Sequence, residues 1–197
     1  MGPVFLFRRP DDDAIRRWLA RQAAVPLGAA PPPDRCTVDH NRAPLGVGAA
    51  TYERARGALR AWAMFRLGWV VIHPPDAPLR VGTTVAVLVH HLGLWSLNAC
   101  RIVRLVDESG PVERFGFAYR TLPDHAVDGE EQFTVDWDHA GDDTVAYDVR
   151  AWSRPRHPLA RLGGPVARLV QKRFARDSKR AMQRAVSGTG EAPSGPG

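Results

Sequence analysis

Cysteine is scarce in this chain: Cys36 and Cys100 are its only two among 197 residues, and they form no CxxC pair. That excludes a disulfide framework and argues for a reducing compartment. Long apolar runs are missing too. The N-terminal stretch Val4 to Phe7 is too short for a signal h-region. Nothing approaches the roughly 18 consecutive apolar residues of a membrane span. A soluble, cytoplasmic protein is expected. Metal-ligand spacings are also lacking. The seven histidines show neither HxH nor HExxH, and adjacent His90 and His91 must point to opposite faces of a strand. A Ser/His/Asp elbow, a Walker loop and a Rossmann fingerprint are absent. Neither a metal nor a cofactor is expected.

Lysine is nearly missing, at 2 residues against 25 arginines. In a chain rich in Ala, Gly and Pro this points to GC-rich coding rather than to a demand for guanidinium groups. Acidic residues are sparse in one place. Arg154 to Arg184 holds ten Lys/Arg against the single acid Asp177, or +9. The net charge is +6, so the rest of the chain is near −3. The basic character belongs to one segment.

What is present is periodicity. Hydrophobic residues make up 44% of the chain, enough for a real core. Residues 11–24 predict a helix, with Asp11 to Asp13 at its start and Ile15, Trp18 and Leu19 as its apolar stripe. Ala29 to Pro33 reads as an extended connector. Cys36 to Leu45 predicts a strand ending at Gly46-Val47-Gly48. A second helix is expected from Ala49 to Phe65, with Thr51 as a possible cap.

Six strands in succession follow: Trp69–His73, Thr83–His91, Ser96–Asp107, Val112–Leu122, Glu130–Trp137 and Thr144–Trp152. Their short spacing predicts an antiparallel meander. Gly163-Gly164-Pro165 marks the start of a long basic helix with Val166, Leu169, Val170, Phe174 and Met182 as its stripe. The expected organisation is an N-terminal extension with one helix (1–30), a main domain (31–186) and a disordered Gly/Ser/Pro-rich tail (187–197). This order is that of an α+β helix-grip fold: a curved antiparallel sheet around a long C-terminal helix, with a cavity between them.

Several stretches together resemble the family described as domain of unknown function nineteen-ninety. They are Val38-Asp39-His40-Asn41-Arg42 with Leu45-Gly46-Val47-Gly48, Trp62-Ala63-Met64-Phe65, and Asn98-Ala99-Cys100-Arg101-Ile102-Val103. Phe115-Gly116-Phe117-Ala118-Tyr119, Thr121-Leu122-Pro123-Asp124-His125 and Gly129-Glu130-Glu131-Gln132-Phe133 continue the set. Ser153-Arg154-Pro155 and Gln171 to Asp177 close it. Arg120 stands where the resemblance leads one to expect Gly. More distantly, the order of elements is similar to the START and birch-pollen-allergen helix-grip (SRPBCC) superfamily, which includes polyketide cyclases and lipid carriers. The resemblance implies the fold, and a hydrophobic ligand in its cavity.

Strand parity predicts the cavity lining as Phe115, Phe117, Tyr119, Phe133, Val135, Tyr147 and Val149, with Glu131 on the same side. A carboxylate among aromatics must be paired or protonated. If Leu97, Ala99 and Arg101 also face inward, Arg101 would pair with Glu131 and orient a ligand carbonyl or carboxylate. The competing reading is a structural ion pair without chemistry. Phe115, Phe117, Phe133 and Tyr147, with Arg101 and Tyr119, are the candidate ligand contacts.

His125, in a loop just before Glu130-Glu131, is a candidate general acid or base together with Glu131; a local hydrogen-bonding role competes. Asp39 to Arg42 is expected as a hydrogen-bonded strand end more than as a cavity entrance. Two functions stay open. One is binding of a lipid-, isoprenoid- or polyketide-like molecule, as a carrier, a sensor or a cyclase-like enzyme. The alternative is docking onto nucleic acid or an anionic membrane, with an inert core, through Arg161, Arg168, Lys172, Arg173, Arg176, Lys179, Arg180 and Arg184.

Overall fold

The computed structural model describes residues 4–28, 36–125, 127–155 and 164–188. The Ala29–Pro33 connector, Arg161, the side chain of Val166 and the tail from residue 189 lie outside the described residues.

Strand β1 (Val4–Leu6) precedes helix α1 (Asp12–Ala23), whose first turn is capped by Asp11 accepting from the Ala14 amide at 2.7 Å. Strand β2 (Thr37–Val47) leads through Gly48 into helix α2 (Ala49–Arg60). The main sheet continues as β3 (Val70–His73), β4 (Thr84–His91), β5 (Leu94–Glu108), β6 (Glu113–Thr121), β7 (Val127–Trp137) and β8 (Thr144–Pro155). Helix α3 (Gly164–Ser187) closes the chain.

The sheet order is β2-β8-β7-β6-β5-β4-β3, every pair antiparallel, with β1 added to the free stretch of β5 at Leu97. The predicted meander is therefore the sheet itself. Strand β2 returns to its far edge, where Pro44 is tolerated beside a bulge. The inner face carries the larger core, packed against α2 and α3; the described residues thus form an α+β helix-grip fold.

The second helix is shorter than its periodicity suggests. Trp62 adopts a left-handed conformation (φ 54°) that ends α2, and a 3-10 turn follows at Ala63–Phe65. Burial is the reason. The break sends Trp62 and Phe65 into the core, where Trp62 Nε1 donates to the Ala77 carbonyl at 2.7 Å. Thr51 does not cap this helix; Gly48 occupies that position and Thr51 is buried in the first turn.

Helix α1 covers part of the opposite face. Ile15 and Trp18 pack against Ala86, Leu88, Leu97, Ala99 and Leu122. Strands β4 and β5 are therefore apolar on both faces, which erases the alternation that normally tells inside from outside.

Candidate functional site

Helix α2 and its 3-10 turn fill only half of the inner face. Over that half lie the Trp137 end of β7 and the Val145 end of β8. There Trp62 packs edge-on to Phe117 (4.8 Å between centroids) and Phe65 to Phe133 (5.4 Å). The other half is open. Between it and α3 lies a cavity of about 1260 Å³. Its walls come from Val87 and Val89 on β4, Asn98 and Cys100 on β5, and Tyr119 on β6. Glu131 and Val149 add β7 and β8, and Val170 and Phe174 face them from α3.

A polar pair sits in this wall. Tyr119 and Glu131 oppose each other across the β6–β7 ladder, and the Tyr119 hydroxyl donates to Glu131 Oε2 at 2.7 Å. Burial lifts the Glu131 carboxyl from an ordinary 4.5 to about 7, although the tyrosine hydrogen bond pulls the other way. Burial, then the neighbouring Glu131, holds the Tyr119 phenol well above its usual range, so it remains a donor. The side chain of Glu131 is enclosed by protein yet keeps surface facing the cavity. A carboxyl in this state can give or take a proton near neutral pH. Cys100 borders the same space, but burial pushes its thiol up, which removes it as a nucleophile.

The structure brings Tyr119, Glu131 and His125 to one cavity. His125 lines it from the β6–β7 loop, and its Nδ1 accepts from the Val127 amide at 3.0 Å. The other candidates lie elsewhere. Phe117, Phe133 and Tyr147 are fully buried in the packed half, behind the cavity. Tyr147 faces Ser178 of α3 at 3.5 Å. Phe115 lies beneath the guanidinium groups of Arg56 and Arg60, at 4.9 and 4.3 Å. Parity placed these four on the correct face, but the aromatic α2 segment occupies the space they would have lined.

Arg101 is a correction of a different kind. It is on the outer face, where Nη2 donates to the carbonyls of Gln22 (3.1 Å) and Ala23 (2.9 Å) and Nε to Thr84 Oγ1 (3.0 Å). It does not meet Glu131; it holds the C-terminal end of α1. Arg120 also faces out, and donates to the Gly28 carbonyl at 2.9 Å.

Sequence reasoning missed His91 at the end of β4 and the polar groups of β5 on the parity opposite to Leu97, Ala99 and Arg101. His91, Ser96 and Asn98 line the cavity. His90 instead stacks on Trp95 at 4.7 Å. The signal was the Ser96, Asn98, Cys100 alternation, masked by equally apolar residues between them. Also missed was the reach of α3: Arg168, Lys172, Arg176 and Lys179 all border the cavity. The run Asp39 to Arg42 divides by parity. Asp39 pairs with Arg168 and Asn41 accepts from Lys179, at the cavity. His40 and Arg42 turn outward to Asp148 (2.6 Å) and Asp136 (2.8 Å).

Among the described residues no helix is long and apolar enough to cross a membrane. Residues 21–181 match the family described as "Domain of unknown function (DUF1990)". A UPF0548 protein of Deinococcus radiodurans is 35% identical over 202 residues, covering 93% of this chain and 99% of that one. A UPF0548 protein of Dictyostelium discoideum is 32% identical over 208 residues, covering 93% and 96%. Among solved structures, that of Ara h 8.0201 overlaps 78% of this chain and 99% of its own, at 14% identity and a TM-score of 0.46. With that match spanning most of the chain, the chain belongs to the DUF1990 family.

Proposed function

We propose that this protein binds a hydrophobic or amphipathic small molecule, lipid-, isoprenoid- or polyketide-like, in the cavity between sheet and α3. The observation that carries the reading is the Tyr119–Glu131 pair, set among Val87, Val89, Val149 and Phe174 in the cavity wall. An apolar body would fill the space beside Val87, Val149 and Phe174, and one polar atom would meet the pair. Carrier or sensor is the role this geometry supports best. A cyclase-like reaction is the second reading, favoured by the place of Glu131 at the cavity, where burial raises its carboxyl to about 7. His125 would then assist at the cavity wall. The alternative of an inert core that docks phosphates through α3 has the cavity itself against it.

Native mass spectrometry of the purified protein, followed by solvent extraction, tests the binding role. The expected result is a released apolar molecule. A fluorescent acyl-chain probe should also bind, and Val87→Trp, which projects an indole into the cavity from β4, should weaken that binding without changing the circular dichroism spectrum. Undiminished probe binding in a folded Val87→Trp variant would place the ligand elsewhere and refute the reading.

A further inference from the structure

The rim of the cavity has a composition that its interior does not need. Leu92 and Phe5 border the cavity, yet they are 77% and 59% exposed. They stand at the lip. Leu92 is the more telling. His91 pairs with Leu94, so Leu92-Gly93 is a two-residue hairpin turn, with φ values of 51° and 75°. Such turns take Asn-Gly or Asp-Gly, because both residues must be left-handed. A leucine there is strained, and its side chain packs on little of its own protein. Neither turn geometry nor core packing accounts for it.

The facing lip is cationic. Helix α3 contributes Arg168, Lys172, Arg176 and Lys179 to the cavity border and no acid. Asp39 offsets Arg168. Arg173 lies over the Trp69 ring at 4.2 Å and shares Asp177 with Arg176. Positive charge remains after these pairings.

We infer that this rim docks the protein on an anionic bilayer surface, with Leu92 and Phe5 inserted among the acyl chains and the α3 cations on the headgroups. Charge complementarity selects the anionic surface, and the exposed apolar lip selects lipid over nucleic acid, which offers no apolar phase. The inference rests on the cavity reading only for its consequence, that an apolar ligand passes between bilayer and cavity without crossing water.

Vesicle flotation tests it. Full-length protein is mixed with vesicles of phosphatidylcholine alone or with a third phosphatidylglycerol. Binding is expected to the anionic vesicles and to fall with salt. Leu92→Asn should weaken it roughly tenfold, and Lys172→Gln roughly fivefold. Asn suits the left-handed turn, so Leu92→Asn should be at least as stable as the parent. Equal flotation of Leu92→Asn and the parent would overturn the proposal, as would no flotation at all. Displacement by single-stranded DNA together with indifference to Leu92→Asn would instead identify a nucleic-acid surface. The acyl-chain probe, offered without vesicles, reports the cavity separately. Probe binding without flotation overturns docking alone; flotation without probe binding overturns the cavity reading alone.

Discussion

Tyr119 and Glu131 face each other across neighbouring strands, and the phenol donates to the carboxyl at 2.7 Å inside the fold. The pair combines a permanent donor with an acid that titrates near neutrality. It is the most specific chemical feature of the cavity, and it has a thermodynamic consequence.

The folded-state value for Glu131, about 7, lies above the ordinary 4.5. Between those values the folded protein holds more protons than the unfolded one. Stability should therefore fall as pH rises from about 4.5 to 7, with the full penalty above 7. The upper limit is about 3 kcal/mol. Glu131→Gln keeps an acceptor for Tyr119 but does not titrate. Its stability relative to the parent should rise by up to about 3 kcal/mol between pH 4.5 and pH 8. Urea unfolding at the two pH values measures this; parallel profiles for the two proteins would show that Glu131 is not buried as an acid.

Arg101 should matter to α1 and not to the ligand. Arg101→Ala removes two hydrogen bonds to the last carbonyls of α1 and should cost about 1–2 kcal/mol. Amide exchange should quicken in Asp12–Ala23, while the affinity for the acyl-chain probe stays unchanged. A large loss of probe affinity would put Arg101 back at the cavity.

Gly116 is required by close approach of strands. A Cβ there would lie 2.0 Å from the Phe133 carbonyl oxygen and 2.9 Å from Thr134 Cα, both backbone atoms that cannot swing aside. Gly116→Ala should lose roughly 2–4 kcal/mol, seen as a lower denaturation midpoint. A neutral effect would mean that β6 and β7 separate more readily than their ladder implies.

Much of the sheet was legible in the sequence because β6, β7 and β8 alternate cleanly. Phe117, Tyr119, Phe133 and Glu131 fall on the face that parity assigns them. The β5 strand was not legible in the same way. Leu97 and Ala99 are apolar because α1 covers them, and nothing local distinguishes that burial from burial in the main core.

The sequence by itself determined the order of elements, the strand parities of β6 to β8 and the presence of an acid among aromatics. These follow from periods of two and 3.6 residues, which are properties of neighbours along the chain. Tertiary structure alone decided which half of the inner face stays open. The break at Trp62 sends Phe65 against Phe133 at one end and leaves Tyr119 and Glu131 facing a cavity at the other. It also decided that Arg101 serves α1, and that the α3 cations line the cavity mouth. Those outcomes depend on which surfaces compete for the same space, and no local period records that competition.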